Sequence, residues 1–176
     1  MEQAPKKSKT KQKQNSILIS ACLIGQKTRY DGKIIGIDRN IIDEFENLMD
    51  LIPVCPEVEG GLPVPRCPAE LSCEISQILT TKQGIVNRDG VDVTGLFLNG
   101  IAVITDRVNL ESVYLAILKE NSPSCGVRYI YDGSFTGRKI KGHGIFTHLL
   151  QQMKIPVFSD KELELAIQYV RTCQKG

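Results

Sequence analysis

Apolar positions along the chain fall into short continuous runs that alternate with stretches at helical spacing. ILIS (17–20) is a compact apolar run ending at Ala21-Cys22, the pattern of a buried strand. A turn-rich stretch at 25–37 follows, marked by Tyr-Asp-Gly at 30–32 and by Gly36. Asp38 then precedes Ile41, Ile42, Phe45, Leu48 and Met49, which fall on one helix face. LIPV (51–54) predicts a second strand ending at Cys55, and VYLAIL (113–118) a third, followed by the loop KENSPSCG (119–126). Thr94 is expected to cap a helix over 95–108, with Leu96, Phe97, Ile101, Ile104 and Val108 on its buried face. Asp132-Gly133 reads as a turn, 144–153 as a helix and PVF (156–158) as a short strand. Ser159 with Glu162 forms a capping box for a last helix whose apolar face is Leu163, Ala166, Ile167 and Val170.

Two stretches fit neither period. Residues 56–73, PEVEGGLPVPRCPAELSC, carry four prolines and a Gly-Gly pair, so they are expected to hold no regular element. Loops of that length in compact domains are commonly functional. Residues 74–93 read as a strand pair or an irregular edge, with turns at Gly84 and Asp89-Gly90. Strands alternating with helices predict an α/β fold, a single three-layer Rossmann-like domain with a largely parallel sheet.

Composition narrows the class. A chain of 176 residues suits one domain, and no apolar run approaches the ~18 residues of a membrane span. The opening MEQAPKKSKTKQKQNS holds no apolar stretch and does not read as a secretory signal. Residues 1–16 carry five Lys and one Glu, a net +4, while the remaining 17 basic and 19 acidic residues leave −2. The expected division is therefore a disordered Lys-rich tail over 1–16 and one domain over 17–176. A cytoplasmic location, with no membrane partner, follows from the same features. The domain lacks the basic excess of a nucleic-acid grip, although the tail keeps an RNA partner open.

Six cysteines stand at 22, 55, 67, 73, 125 and 173. In a reducing compartment they are expected to stay free of disulfides, which leaves metal binding, catalysis or plain burial. Cys22, Cys55 and Cys125 each follow a predicted strand. If those strands are parallel, the three thiols share the sheet edge at which open α/β folds bind ligands. Three thiolates without a fourth partner suit a zinc site with an open position or a [4Fe–4S] cluster with one iron unligated by protein. Cys173 reads as a helix-face residue. Cys67 and Cys73 match no common zinc spacing, and His143 and His148, five apart, read as surface or capping residues. Glu57 stands at the same rim as Cys55, where a carboxylate beside a bound substrate can activate water; a solvated loop charge or a helix N-terminal cap is the plainer alternative. Ser122 and Ser124 flank Pro123 just before Cys125, and Asp31, Arg66 and Lys119 are candidates for a polar ring.

Taken together, SACLIGQKTRYDG (20–32), PVCPEVEGGLPVPR (53–66), GVDVT (90–94), ILKENSPSCG (117–126) and IYDGSFTG (130–137) resemble the thiouracil desulfurases, a bacterial and archaeal family long labelled a domain of unknown function. The resemblance spans residues 17–159. It implies a [4Fe–4S] cluster on Cys22, Cys55 and Cys125, whose free iron takes the sulfur of a thiolated base. It also implies catalytic roles for Glu57, activating water, and for Ser122, relaying a proton. The implied reaction is hydrolytic desulfuration of a small thiolated base or nucleoside, with sulfide released and no redox partner; no oligomeric state is implied. The alternatives are a zinc hydrolase on the same thiols, or a non-enzymatic module that carries iron or sulfide or binds thiolated RNA. The Lys-rich tail, Cys67 and the VRY stretch (127–129) depart from the family pattern.

Overall fold

The structure is a computed structural model that describes residues 15–173. The elements in chain order are β1 (Ser16–Ser20), α1 (Arg39–Leu48), β2 (Asp50–Val54), α2 (Pro56–Glu59), β3 (Ala69–Leu71), α3 (Ile75–Thr81), β4 (Ile85–Asn87), α4 (Thr94–Arg107), β5 (Val113–Leu118), β6 (Tyr129–Tyr131), β7 (Lys139–Lys141), α5 (Ile145–Gln152), β8 (Val157–Ser159) and α6 (Leu163–Cys173). The Lys-rich tail, through residue 14, lies outside the described residues, and Asn15 already donates its N–H to Ser112 beside β5.

Four strands form the main sheet in the order β2-β1-β5-β8, every neighbouring pair parallel. A parallel sheet must be covered on both faces, and the strand side chains alternate accordingly. Ile17, Ile19, Leu115 and Ile117 meet Ile42 and Phe45 of α1 and Ala166, Ile167 and Val170 of α6. Leu18, Ala116 and Leu118 point the other way, toward Ile104 of α4 and Phe146 and Leu150 of α5. These are the three layers that the alternation of runs predicts. Each fully buried Ile or Leu contributes roughly 1.5–3 kcal/mol, so strands buried on both faces fix the register strongly.

Local signals work as read at two helix starts. Asp38 accepts the Asn40 N–H at α1, and the Glu162 carboxylate accepts the Ser159 N–H just ahead of α6. Elsewhere the structure corrects the sequence. The proline-rich stretch is not free of regular structure: it contains the single turn of α2, with Pro56 at its first position, and the strand β3. Residues 74–93 hold α3 before β4, and the strand pair is β3 with β4. Thr94 is the first residue of α4 rather than its cap. Asp92 accepts the Thr94 N–H, while the Thr94 hydroxyl accepts the Ile85 N–H. Leu96 is 39% exposed, and the buried stripe of α4 runs through Phe97, Gly100 and Ile104. An antiparallel hairpin, β6 with β7, brackets the expected turn at Asp132-Gly133.

Candidate active site

The chain reverses direction across the sheet at β1: the strand after it lies on one side and β5 on the other. Carboxyl ends of strands at such a switch point form a crevice. Here that crevice is a cavity of about 330 Å³, lined by residues 20–22 at the end of β1, Val54 and Cys55 at the end of β2, and residues 119–125 after β5. Cys22, Cys55 and Cys125 all lie on its wall, and Glu57, Ser122 and Ser124 share it.

Each thiol is placed by backbone. Cys22 sits in a tight helical turn directly after β1. Cys55 precedes α2, and its N–H is accepted by Glu59, whose carboxylate also takes a two-pronged bond from Arg107 of α4. Glycines at 60 and 100 let α2 and α4 meet backbone to backbone. Cys125 sits in a loop stitched to the start of α5: the Ile145 and Phe146 N–H groups donate to the Pro123 and Ser124 carbonyls, and the Thr147 hydroxyl donates to the Cys125 carbonyl. The free N–H groups of a first helical turn thus find their acceptors in the loop. From the other side the buried Glu120 carboxylate accepts the N–H groups of Asn121, Val127, Arg128 and Tyr129.

Burial governs the thiols. It pushes Cys22 up to about 12, reinforced by the neighbouring Cys55. Cys55 is raised by burial and by the Glu57 carboxylate, and Cys125 is raised by burial. Without a cation, all three stay protonated at neutral pH and are poor nucleophiles.

Glu57 is held at both oxygens. Arg66 donates to Oε2 from Nε at 2.9 Å and from its terminal nitrogen at 2.7 Å. The Ser124 hydroxyl donates to Oε1 at 2.9 Å and the Ser122 hydroxyl at 3.2 Å. The Arg66 side chain is only 5% exposed and also donates to the Thr28 and Pro63 carbonyls. The Ser122 and Ser124 oxygens are 2.9 Å apart, and Ser124 reaches the Cys125 sulfur at 3.5 Å. An unbroken polar chain therefore runs from Arg66 through Glu57 and the two serines to Cys125.

The 2-thiouracil desulfurase family profile matches residues 17–162. The chain belongs to that family. YbbK, an uncharacterised protein of Bacillus subtilis (strain 168), is 39% identical over 150 residues, covering 84% of this chain and 97% of its own length. A solved structure of TudS, a [4Fe–4S]-dependent thiouracil desulfidase, matches with a TM-score of 0.75 at 39% identity, covering 88% of this chain and 99% of that one.

The remaining residues of this desulfurase-family chain divide clearly. Arg66 and Lys119 line the cavity, whereas Asp31 pairs with Arg29, which holds its carboxyl down at about 2. Cys67 borders a separate cavity of about 160 Å³, and Cys73 packs against Gly84. The side chain of Cys173 lies outside the described residues. His143 and His148 bond to one another, ring nitrogen to ring nitrogen, at 3.1 Å. Sequence reasoning did not single out Glu70, Glu120 or Phe135, all of which line the cavity. Their roles arise from backbone groups brought together by folding, which no spacing encodes.

Proposed function

We propose that the chain is an iron–sulfur desulfidase that removes sulfur from a thiolated pyrimidine, a thiouracil-like base or nucleoside, with water supplying the replacing oxygen. One observation carries this reading: three thiols from three separate strand ends line one cavity with a doubly anchored carboxylate and a pair of hydroxyls. The TudS neighbour, a [4Fe–4S]-dependent thiouracil desulfidase, supports it.

The donor set fits such a cluster. Buried thiols with raised pKa values ionise when a metal centre binds them, and soft thiolates favour iron–sulfur chemistry. Three protein sulfurs leave one iron of a cubane without a protein ligand. A zinc ion on the same thiols is the competing reading, and the [4Fe–4S]-dependent TudS neighbour favours the cluster. Cys22, Cys55 and Cys125 would hold the cluster, which when bound supplies a Lewis-acidic iron for the thiocarbonyl sulfur.

The protein's own groups account for the proton traffic. In the net reaction a C=S group and water become a C=O group and hydrogen sulfide. Glu57 accepts a proton from the attacking water, which needs a carboxylate fixed in direction and ionised. The Arg66 fork fixes that direction at Oε2. The Ser122 hydroxyl accepts the N–H groups of Ser124 and Cys125, so its own proton is left for Glu57 or Ser124. The two serines form a relay that returns a proton from Glu57 toward the departing sulfur as the C–S bond breaks. No electrons are exchanged. The five cysteines whose side chains are described are free of disulfides, which suits a reducing compartment such as the cytoplasm; no helix among the described residues is long and apolar enough to cross a membrane.

Anaerobic reconstitution followed by sulfide-release assays on free 2-thiouracil, a thionucleoside and thiolated tRNA tests this function. The expected result is a brown protein with about four irons per chain that releases sulfide from a free base or nucleoside. A colourless protein with one zinc, or iron without sulfide release from any of the three, overturns it.

A further inference from the structure

We infer that Phe135 is the platform on which the substrate's ring stacks, and that Glu70 is the residue that positions it. The inference rests on the desulfidase reading and adds the source of its preference for a flat heteroaromatic ring.

Phe135 lies in the loop between β6 and β7, with a backbone φ of +55°. A bulky side chain is strained in that left-handed region. Gly133 and Gly137, at +87° and +82°, take their own positive values without strain. Glycine at 135 would relieve the strain, and the ring is what it would take away. That ring belongs to none of the three hydrophobic clusters of the core. It lies instead on the wall of the cavity that holds the three thiols.

The loop is pinned from below. Glu70 on β3 is 8% exposed, and one oxygen of its carboxylate accepts the N–H groups of Gly133 at 2.9 Å and Phe135 at 3.1 Å. Gly133 seats so tightly on β3 that a methyl group there would stand 2.7 Å from the Leu71 carbonyl oxygen. A buried anion and a close backbone contact together hold the strained residue in place. Neither group takes part in the proton relay described above.

The neighbouring chemistry is that of a stacking wall. Arg88 places its guanidinium carbon 6.0 Å from the Phe135 ring centre, and Tyr131 carries Lys139 at 5.7 Å; Arg88 and Tyr131 line the same cavity. Flat aromatic and guanidinium groups recognise the faces of nucleobases irrespective of the substituents at the ring edge. Such a wall takes a thiolated pyrimidine and gives nothing to an acyclic thiocarbonyl compound.

The test compares reconstituted wild-type enzyme with Phe135→Leu, Phe135→Tyr, Glu70→Ala and the Phe135→Leu/Glu70→Ala double variant. The readouts are kcat and KM for 2-thiouracil, iron per chain, and the dissociation constant of the product uracil by calorimetry. Phe135→Leu is expected to raise KM and the uracil constant about tenfold with iron unchanged and the larger effect on KM rather than kcat, and Phe135→Tyr to stay near wild type. Glu70→Ala is expected to weaken uracil binding and to add little in the double variant, because it acts through Phe135. Equal constants for wild type and Phe135→Leu refute the platform, and fully additive effects refute the role of Glu70. If wild-type enzyme converts no thiolated pyrimidine, the desulfidase reading fails, and the uracil constants still judge the platform.

Discussion

Gly100 of α4 lies against Pro56 of α2 so closely that a methyl group on Gly100 would stand 1.7 Å from the Pro56 carbonyl oxygen. The two helices touch through backbone, and the contact sets the position of Cys55 and Glu57, which flank Pro56 at the start of α2. Gly100→Ala is expected to push α2 away from α4. It should lower stability by about 1–3 kcal/mol, the usual penalty of overpacking, and reduce iron per chain. Thermal unfolding and iron analysis check this; wild-type iron content with wild-type stability would mean that the contact is not a constraint.

Arg66 and Glu57 form a two-pronged ion pair with the guanidinium almost fully buried. Lysine cannot reproduce that fork. Glu57→Gln should keep its iron and lose activity by at least about a hundredfold. Arg66→Lys should retain iron and show a fall in kcat of similar order, with KM little changed. Added guanidinium should restore part of the activity of Arg66→Ala. Steady-state kinetics with iron quantitation separate these outcomes from simple unfolding.

The two serines should behave as one unit. Ser124→Ala removes the shorter bond to Glu57 and spares the loop backbone, so it should lower kcat with iron retained. Ser122→Ala also strips the acceptor from the Ser124 and Cys125 N–H groups, so it should lose stability as well. The double variant is expected to be no slower than the slower single variant, because a relay broken once is already broken.

Legibility in the sequence followed burial. β1 and β5 were readable because strands buried on both faces are short unbroken apolar runs, and the edge strand β2 was readable from its run LIPV; their ends placed Cys22, Cys55 and Cys125 on one edge. α1 was readable because Ile42 and Phe45 keep helical spacing behind the Asp38 cap. α3 was not, because seven residues ending in Thr80-Thr81 show less than two clear turns of pattern, and its stop is a left-handed Lys82 rather than a glycine. The Arg66–Glu57 clamp was illegible for a different reason. Its partners are joined through a proline-rich loop whose path is fixed by tertiary contacts, among them the Arg66 N–H donating to the Tyr30 carbonyl. The Glu120 carboxylate, gathering four backbone N–H groups, leaves no periodic trace at all.

Asp160 links the start of the cysteine loop to β8. Burial alone would raise its carboxyl, but the Lys119 ammonium and the Glu120 N–H more than offset this and hold it below the ordinary 3.8. A depressed carboxyl stabilises the fold above its unfolded value, and that stability is lost as pH falls through the folded value. Stability should therefore fall as pH drops below about 4, and Asp160→Asn should flatten this dependence while lowering stability at neutral pH by roughly 1–3 kcal/mol. Chemical denaturation across pH 2–7 reads both effects.

The most direct test is iron and acid-labile sulfide per chain, measured after anaerobic reconstitution of the wild type and of Cys22→Ser, Cys55→Ser, Cys125→Ser and Cys67→Ser. The account predicts about four of each for the wild type and for Cys67→Ser, and loss of most of both in the other three. Full cluster content in any of those three variants, or its loss in Cys67→Ser alone, would contradict it.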